Sequence, residues 1–171
     1  MALVQGVDVV AVTVSDMTRA REFYCDLLGM TPVEVKGAGS AWSDDEQRRW
    51  HAYHEQCVGL PGAEIQALFL QAPDGTHLEL IEYQKPDLPP PPRRSPAEPG
   101  SAVIPFAIKD SETVVARLRD AGIEILGGPV PYLLDGVSTK TTYLYDPDGT
   151  ILCLFEVVSG EYTIGDKDTE S

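Results

Sequence analysis

Ala72-Pro73-Asp74-Gly75-Thr76-His77-Leu78-Glu79-Leu80-Ile81-Glu82 reads as a tight turn running into a strand, and the chain contains the pattern twice. The second copy is Asp146-Pro147-Asp148-Gly149-Thr150-Ile151-Leu152-Cys153-Leu154-Phe155-Glu156. Pro-Asp-Gly-Thr is identical in both, at an offset of 74 residues. Two leucines and a closing glutamate recur at matching places in each strand. Between the leucines the copies part, with Glu79 in the first and Cys153 in the second.

Upstream of each copy the chain repeats again, residues 9–16 returning as 103–110 at an offset of 94. Each stretch predicts a strand followed by a capped helix. Residues 7–14 are β-branched, and Ser15 or Asp16 then caps a helix whose apolar stripe is Ala20, Phe23, Tyr24, Leu27 and Leu28, stopped by Gly29. In the second unit residues 102–108 form the strand. Asp110 or Ser111 caps a helix with Val114, Val115, Leu118 and Ala121 on one face, stopped by Gly122. Residues 30–35 and 64–71 complete the first unit with the repeated strand. Residues 123–126, 138–145 and 150–157 complete the second, with Gly127-Gly128-Pro129 as a turn. The expected fold class is therefore α+β, two β-α-β-β-β modules at residues 1–84 and 101–158. A proline-rich spacer at 85–100 joins them, and a polar acidic tail follows at 159–171. The offsets differ because the first module carries an insert at residues 37–62, irregular and rich in aromatic and polar residues, with room for a short helix.

At 171 residues and 43% hydrophobic, the chain has enough apolar matter for one compact domain or two very small ones. No apolar run approaches the ~20 residues of a membrane span, and the first residues lack the pattern of a secretory signal, so a cytoplasmic location is expected. Cys25, Cys57 and Cys153 show neither a disulfide framework nor zinc spacing. A net charge of −14 argues against nucleic acid or an anionic membrane as partner, since both need a cationic footprint.

One helix covers one face of each four-stranded unit. Strand alternation puts Val10, Val12, Leu78 and Leu80 on that face in the first unit, and Ile104, Phe106, Leu152 and Leu154 in the second. The opposite faces are mixed: Val9, Ala11, Thr13, His77, Glu79 and Ile81 in one unit, Val103, Pro105, Ala107, Ile151, Cys153 and Phe155 in the other. Simple hairpins place Phe69 opposite Glu79 and Tyr143 opposite Cys153, with Tyr145 on the same surface. Small residues, a carboxylate and tyrosines make a poor packing face and a reasonable wall for a ligand cavity.

Two such units, each ending in Asp-Gly before a Leu-x-Leu strand, resemble the vicinal oxygen chelate superfamily, which includes glyoxalases, extradiol dioxygenases and bleomycin-resistance proteins. The resemblance runs through residues 12–17, 23–30, 59–63, 78–83 and 146–149. It implies sheets paired into a cup, often in a homodimer, and a metal held by a histidine from each first strand and a glutamate from each fourth strand. Here those positions hold Val9, Val103, Glu79 and Cys153. A divalent, oxygen-chelating metal needs several oxygen or imidazole ligands, and one carboxylate does not supply them. No metal and no other cofactor is therefore expected.

On a partly apolar wall Glu79 is desolvated, which suits it to proton transfer; the alternative is a hydrated relic of a metal site. His77, on the same face, is placed to relay to it or to lie exposed at a strand end. Trp42, Trp50, His51 and His54 in the insert form either a lid over a planar ligand or a surface loop. Tyr143 or Tyr145 can polarise a carbonyl or simply pack. Cys153, without a histidine partner, reads as an inert thiol in the wall. Two functions remain open. One is a metal-independent enzyme that isomerises, cyclises or eliminates on a small carbonyl-containing, aromatic or polyketide-like compound, with Glu79, His77 and Tyr143 as its catalytic groups. The other is a protein that sequesters such a compound. A metal enzyme with relocated ligands is the third reading.

Overall fold

The computed structural model describes residues 3, 4, 6–34, 43–87, 89 and 92–164. The repeated turn is built the same way both times. Gly75 N–H donates to Ala72 O at 2.9 Å and Gly149 N–H to Asp146 O at 3.1 Å, with both glycines at positive φ (+91° and +92°). In the first copy the Asp74 carboxylate accepts from Thr76 N at 2.9 Å. In the second, Asp146 stands where the first has Ala72, and its carboxylate accepts from Asp148 N and Thr150 N. Two side-chain-to-backbone bonds explain how an aspartate that is 2% exposed is tolerated there.

The chain divides into two compact units, Met1–Pro91 and Pro92–Ser171. Unit one carries β1 (Val10–Val14), a helix that starts as α1 (Met17–Arg21) and continues as a π-helical turn over Glu22–Leu27, then β2 (Thr31–Val33), α2 (Asp44–Val58), β3 (Glu64–Gln71) and β4 (His77–Lys85). Unit two carries β5 (Val103–Ala107), α3 (Ser111–Asp120), β6 (Ile125–Leu134), β7 (Val137–Tyr145) and β8 (Ile151–Ser159). The strand orders are β1-β4-β3-β2 and β5-β8-β7-β6, each with a parallel first pair and antiparallel remainder. This is the expected α+β architecture of two repeated modules.

The first helix buries Met17, Ala20, Phe23 and Tyr24, and the sheet face with Val12, Val14, Leu78 and Leu80 is buried with them. In unit two, Val115 and Leu118 of α3 are buried together with Leu144, Leu152 and Leu154. Asp16 and Asp110 cap their helices through their carboxylates, which accept from Arg19 N and Thr113 N. Glu156 adds a second clamp at α3: its carboxylate accepts from Asp110 N, Ser111 N and the Ser111 hydroxyl, which holds its pKa below the usual carboxylate range.

Several expectations differ from what forms. The insert contains a full 15-residue helix, α2, longer than the short helix for which the sequence left room. Ser43 and Glu46 make a reciprocal capping box, Asp44, Asp45 and Glu46 fill the positive end of the helix dipole, and Gly59 closes it at φ 67°. Gly127-Gly128-Pro129 is not a turn. It lies inside β6, where the pairing with β7 shifts register, and Gly128 sits at φ +115°. A Cβ on Gly128 would come within 2.5 Å of Thr141 O, so no other residue fits. The real reversal is Asp135-Gly136, a two-residue hairpin with both residues at positive φ. β1 and β2 are shorter than the predicted strands.

The second half of the proline-rich spacer docks on unit two instead of standing free. Arg93 pairs with Glu124 and lies 5.1 Å from the centre of the Tyr145 ring, while Tyr145 OH donates to Arg94 O at 2.9 Å. Leu88, Pro90 and Pro91 of the spacer, residues 35–42 and residues 165–171 of the tail lie outside the described residues.

Candidate ligand site

In unit one the face opposite α1 carries Ala11, Glu79, Phe69 and His77. β4 runs between β1 and β3, and its register sets Ala11 on one side of Glu79 and Phe69 on the other. α2 packs on β3, tied by a bond from Ile65 N–H to His51 Nδ1 at 3.2 Å. Burial pushes the Glu79 carboxyl above its ordinary value, and the His54 imidazole pulls part of the way back. No hydrogen bond or ion pair from the described residues reaches the Glu79 carboxylate.

The two imidazoles of α2 are held in opposite tautomers. His54 Nδ1 lies 3.0 Å from Trp50 O. A carbonyl only accepts, so the proton is on Nδ1 and Nε2 of the neutral ring has a lone pair free. His51 Nδ1 accepts from a backbone N–H, so its neutral ring carries the proton on Nε2. Trp50, Tyr53 and His54 form one aromatic cluster, with Trp50 and His54 ring centres 4.1 Å apart and Tyr53 edge-on to His54 at 5.0 Å. A cavity of about 620 Å³ opens beside β3, with Gln47, Trp50 and His51 of α2 and Val33, Ala67 and Phe69 of the sheet in its wall.

The predicted residues separate as follows. Glu79, Phe69, Trp50, His51 and His54 come together around α2 and the first sheet. His77 is exposed at the strand end, where its Nε2 accepts from the Gln71 amide at 3.1 Å, two residues along from Glu79. Val9 precedes β1 and is half-buried; Val103 opens β5 and pairs with Ile151. Trp42 lies outside the described residues. In unit two Tyr143 does stand opposite Cys153. Burial raises the Cys153 thiol pKa and a hydrogen bond from Tyr143 partly offsets this. Tyr145 is committed elsewhere: its hydroxyl serves Arg94 and its ring is covered by Arg93, which leaves it no free donor for a carbonyl.

Gln47 and Arg21 were not singled out from the sequence, whereas the hairpin register already sets Gln71 on the same surface as Phe69. Helical spacing from Trp50 points to Gln47; Arg21 had no such signal. The donor set does not fit the metal of the resembled family. Val9 and Val103 offer no donor atom, and among the described residues no three of His, Cys, Asp and Glu come together as a metal-holding group.

The profile of the Glyoxalase/Bleomycin resistance protein/Dioxygenase superfamily matches residues 6–154. The chain belongs to that superfamily. Among relatives of this glyoxalase-superfamily protein, the virulence protein STM3117 of Salmonella typhimurium is 24% identical over 157 residues, 91% of this chain and 87% of that one. A glyoxalase family protein from Bacillus cereus has a similar structure, with a TM-score of 0.72 at 21% identity over 92% of this chain and 97% of that chain. TnmS3, an antibiotic binding protein from Streptomyces sp. CB03234, matches with a TM-score of 0.55 at 18% identity, over 92% and 99% of the two chains. No helix among the described residues is long and apolar enough to cross a membrane.

Proposed function

We propose that this superfamily member is a metal-independent enzyme that moves a proton on a small carbonyl-containing, aromatic or polyketide-like compound, as isomerase, cyclase or lyase. The observation that carries the reading is Glu79: a half-buried carboxylate, raised in pKa by desolvation, with no hydrogen bond or ion pair from the described residues. Partial desolvation makes it a stronger base than a solvated carboxylate, and general-base catalysis gains from that. Each of the three reaction types begins by removing a proton next to a carbonyl. Glu79 takes that proton, and the nearby His54 imidazole favours its charged carboxylate. Trp50 and Phe69 hold the flat part of the compound and α2 limits water.

The test is deuterium uptake at the α-carbon of a panel of aryl and bicyclic ketones in D₂O, followed by NMR. Wild-type protein is expected to accelerate exchange and Glu79→Gln to lose it while still binding the ketone. Exchange that persists in Glu79→Gln sinks the assignment.

The second reading is a binding protein, favoured by the Trp50–Tyr53–His54 cluster and by the use of this fold in an antibiotic binding protein. Binding with no exchange in the wild type selects it. The homodimer implied by the superfamily belongs to this proposal too, and sizing by light scattering checks it.

A further inference from the structure

The cavity is centred on an edge of the sheet rather than on Glu79. β2 ends at Val33, opposite Phe69, so among the described residues β3 from Glu64 to Leu68 has no neighbouring strand on that side. The cavity wraps around this free edge. On one side its walls are Trp50 and His51 with Ala67 and Phe69; on the other it reaches Gln66, Leu68 and Arg21. Arg21 also lines a second hollow of about 360 Å³, so it stands where the two spaces meet.

Two of the polar groups here, His51 and Arg21, present donors. His51 spends Nδ1 on Ile65 N–H, which leaves Nε2–H as a donor toward the cavity. The Arg21 guanidinium carries a fixed charge and five donors, and no hydrogen bond or ion pair among the described residues occupies them. Glu34 lines the first space and Asp16 and Glu82 the second, yet none of them is within ion-pair distance of Arg21. In a chain with 27 acidic and 13 basic side chains, a cation left unpaired at a cavity junction is unusual.

We propose that this edge cavity binds a flat aromatic carboxylate, its ring between Trp50 and Phe69 and its carboxylate on Arg21. The pairing uses the two interactions that the walls offer, aromatic contact and a bidentate guanidinium–carboxylate bond. The proposal rests on the reading above in taking a small aromatic compound as the ligand, and it does not require turnover by Glu79.

Calorimetric titration of the full-length protein with 2-naphthoate, 2-naphthamide and 2-naphthylmethylammonium tests it. The carboxylate is expected to bind about tenfold tighter than the amide. Arg21→Gln removes that advantage and leaves the amide unchanged, while Trp50→Leu weakens both by about tenfold. The proposal is overturned if the ammonium compound binds as tightly as the carboxylate, if Arg21→Gln leaves naphthoate affinity unaltered, or if none of the three binds. Glu79→Gln separates the two ideas: intact naphthoate binding supports the edge site whatever happens to proton exchange.

Discussion

Glu79 and Cys153 occupy the same place in two copies of one hairpin, and their neighbours decide what each does. Phe69 faces Glu79 where Tyr143 faces Cys153. Cys153 is 7% exposed, and Tyr143 supplies its hydrogen bond. Glu79 is half-buried without one from the described residues. Its folded pKa is raised, so the native state holds the proton more tightly than the unfolded chain does. Stability from this group is therefore full below the ordinary value of 4.5 and declines as pH rises from there through the folded pKa. Glu79→Gln is expected to raise the melting temperature at pH 7 and to leave it unchanged near pH 3.5. Thermal melts at the two pH values check this, and equal shifts at both would show that the carboxylate carries no desolvation cost.

At the scale of elements, α2 is the addition that separates the two modules. It exists because Ser43 and Glu46 cap each other, three acidic residues oppose the helix dipole and Gly59 ends it. None of its residues is fully buried, so packing contributes little and the cap matters more than in α3. Ser43→Ala is expected to cost about 1 kcal/mol, read as roughly fivefold faster hydrogen exchange across α2 with β4 unaffected. Uniformly faster exchange through unit one would show instead that α2 and the sheet open together. The Ser43-x-x-Glu46 signature and the Asp135-Gly136 hairpin signal were both legible in the chain, and both were hidden by their surroundings. The polar, aromatic composition of the insert suggested room for only a short helix, and Gly127-Gly128-Pro129 drew the reversal away from its true place. The bulge itself was not legible, since Gly-Gly-Pro marks a turn and a kinked strand equally well.

For the whole molecule, charge is the broad control. A net −14 repels polyanions on average. The protein is expected to pass through a heparin column without retention in about 0.15 M salt, where a Debye length of about 8 Å still lets a basic patch act. Retention would reveal a local basic surface that the sum conceals. Arg21 has the opposite significance, a cation without an ion pair among the described residues, and it lines both hollows.

The repeat, the two modules and the identity of the residue facing Glu79 were determined by sequence alone, because alternation and turn chemistry are local and were stated twice. That Val9 and Val103 offer no donor atom is likewise read from the chain. Tertiary structure decided the rest. Which imidazole nitrogen carries the proton depends on a backbone carbonyl at Trp50 and an amide at Ile65. Tyr145 is withdrawn from the wall because a spacer segment folds onto it. Among the described residues, the cavity lies along the part of β3 that β2 does not reach, since β2 pairs with it only over Thr31–Val33. The bonds of His51 and Tyr145 bring together groups far apart in the chain, and no periodicity or composition carries that information.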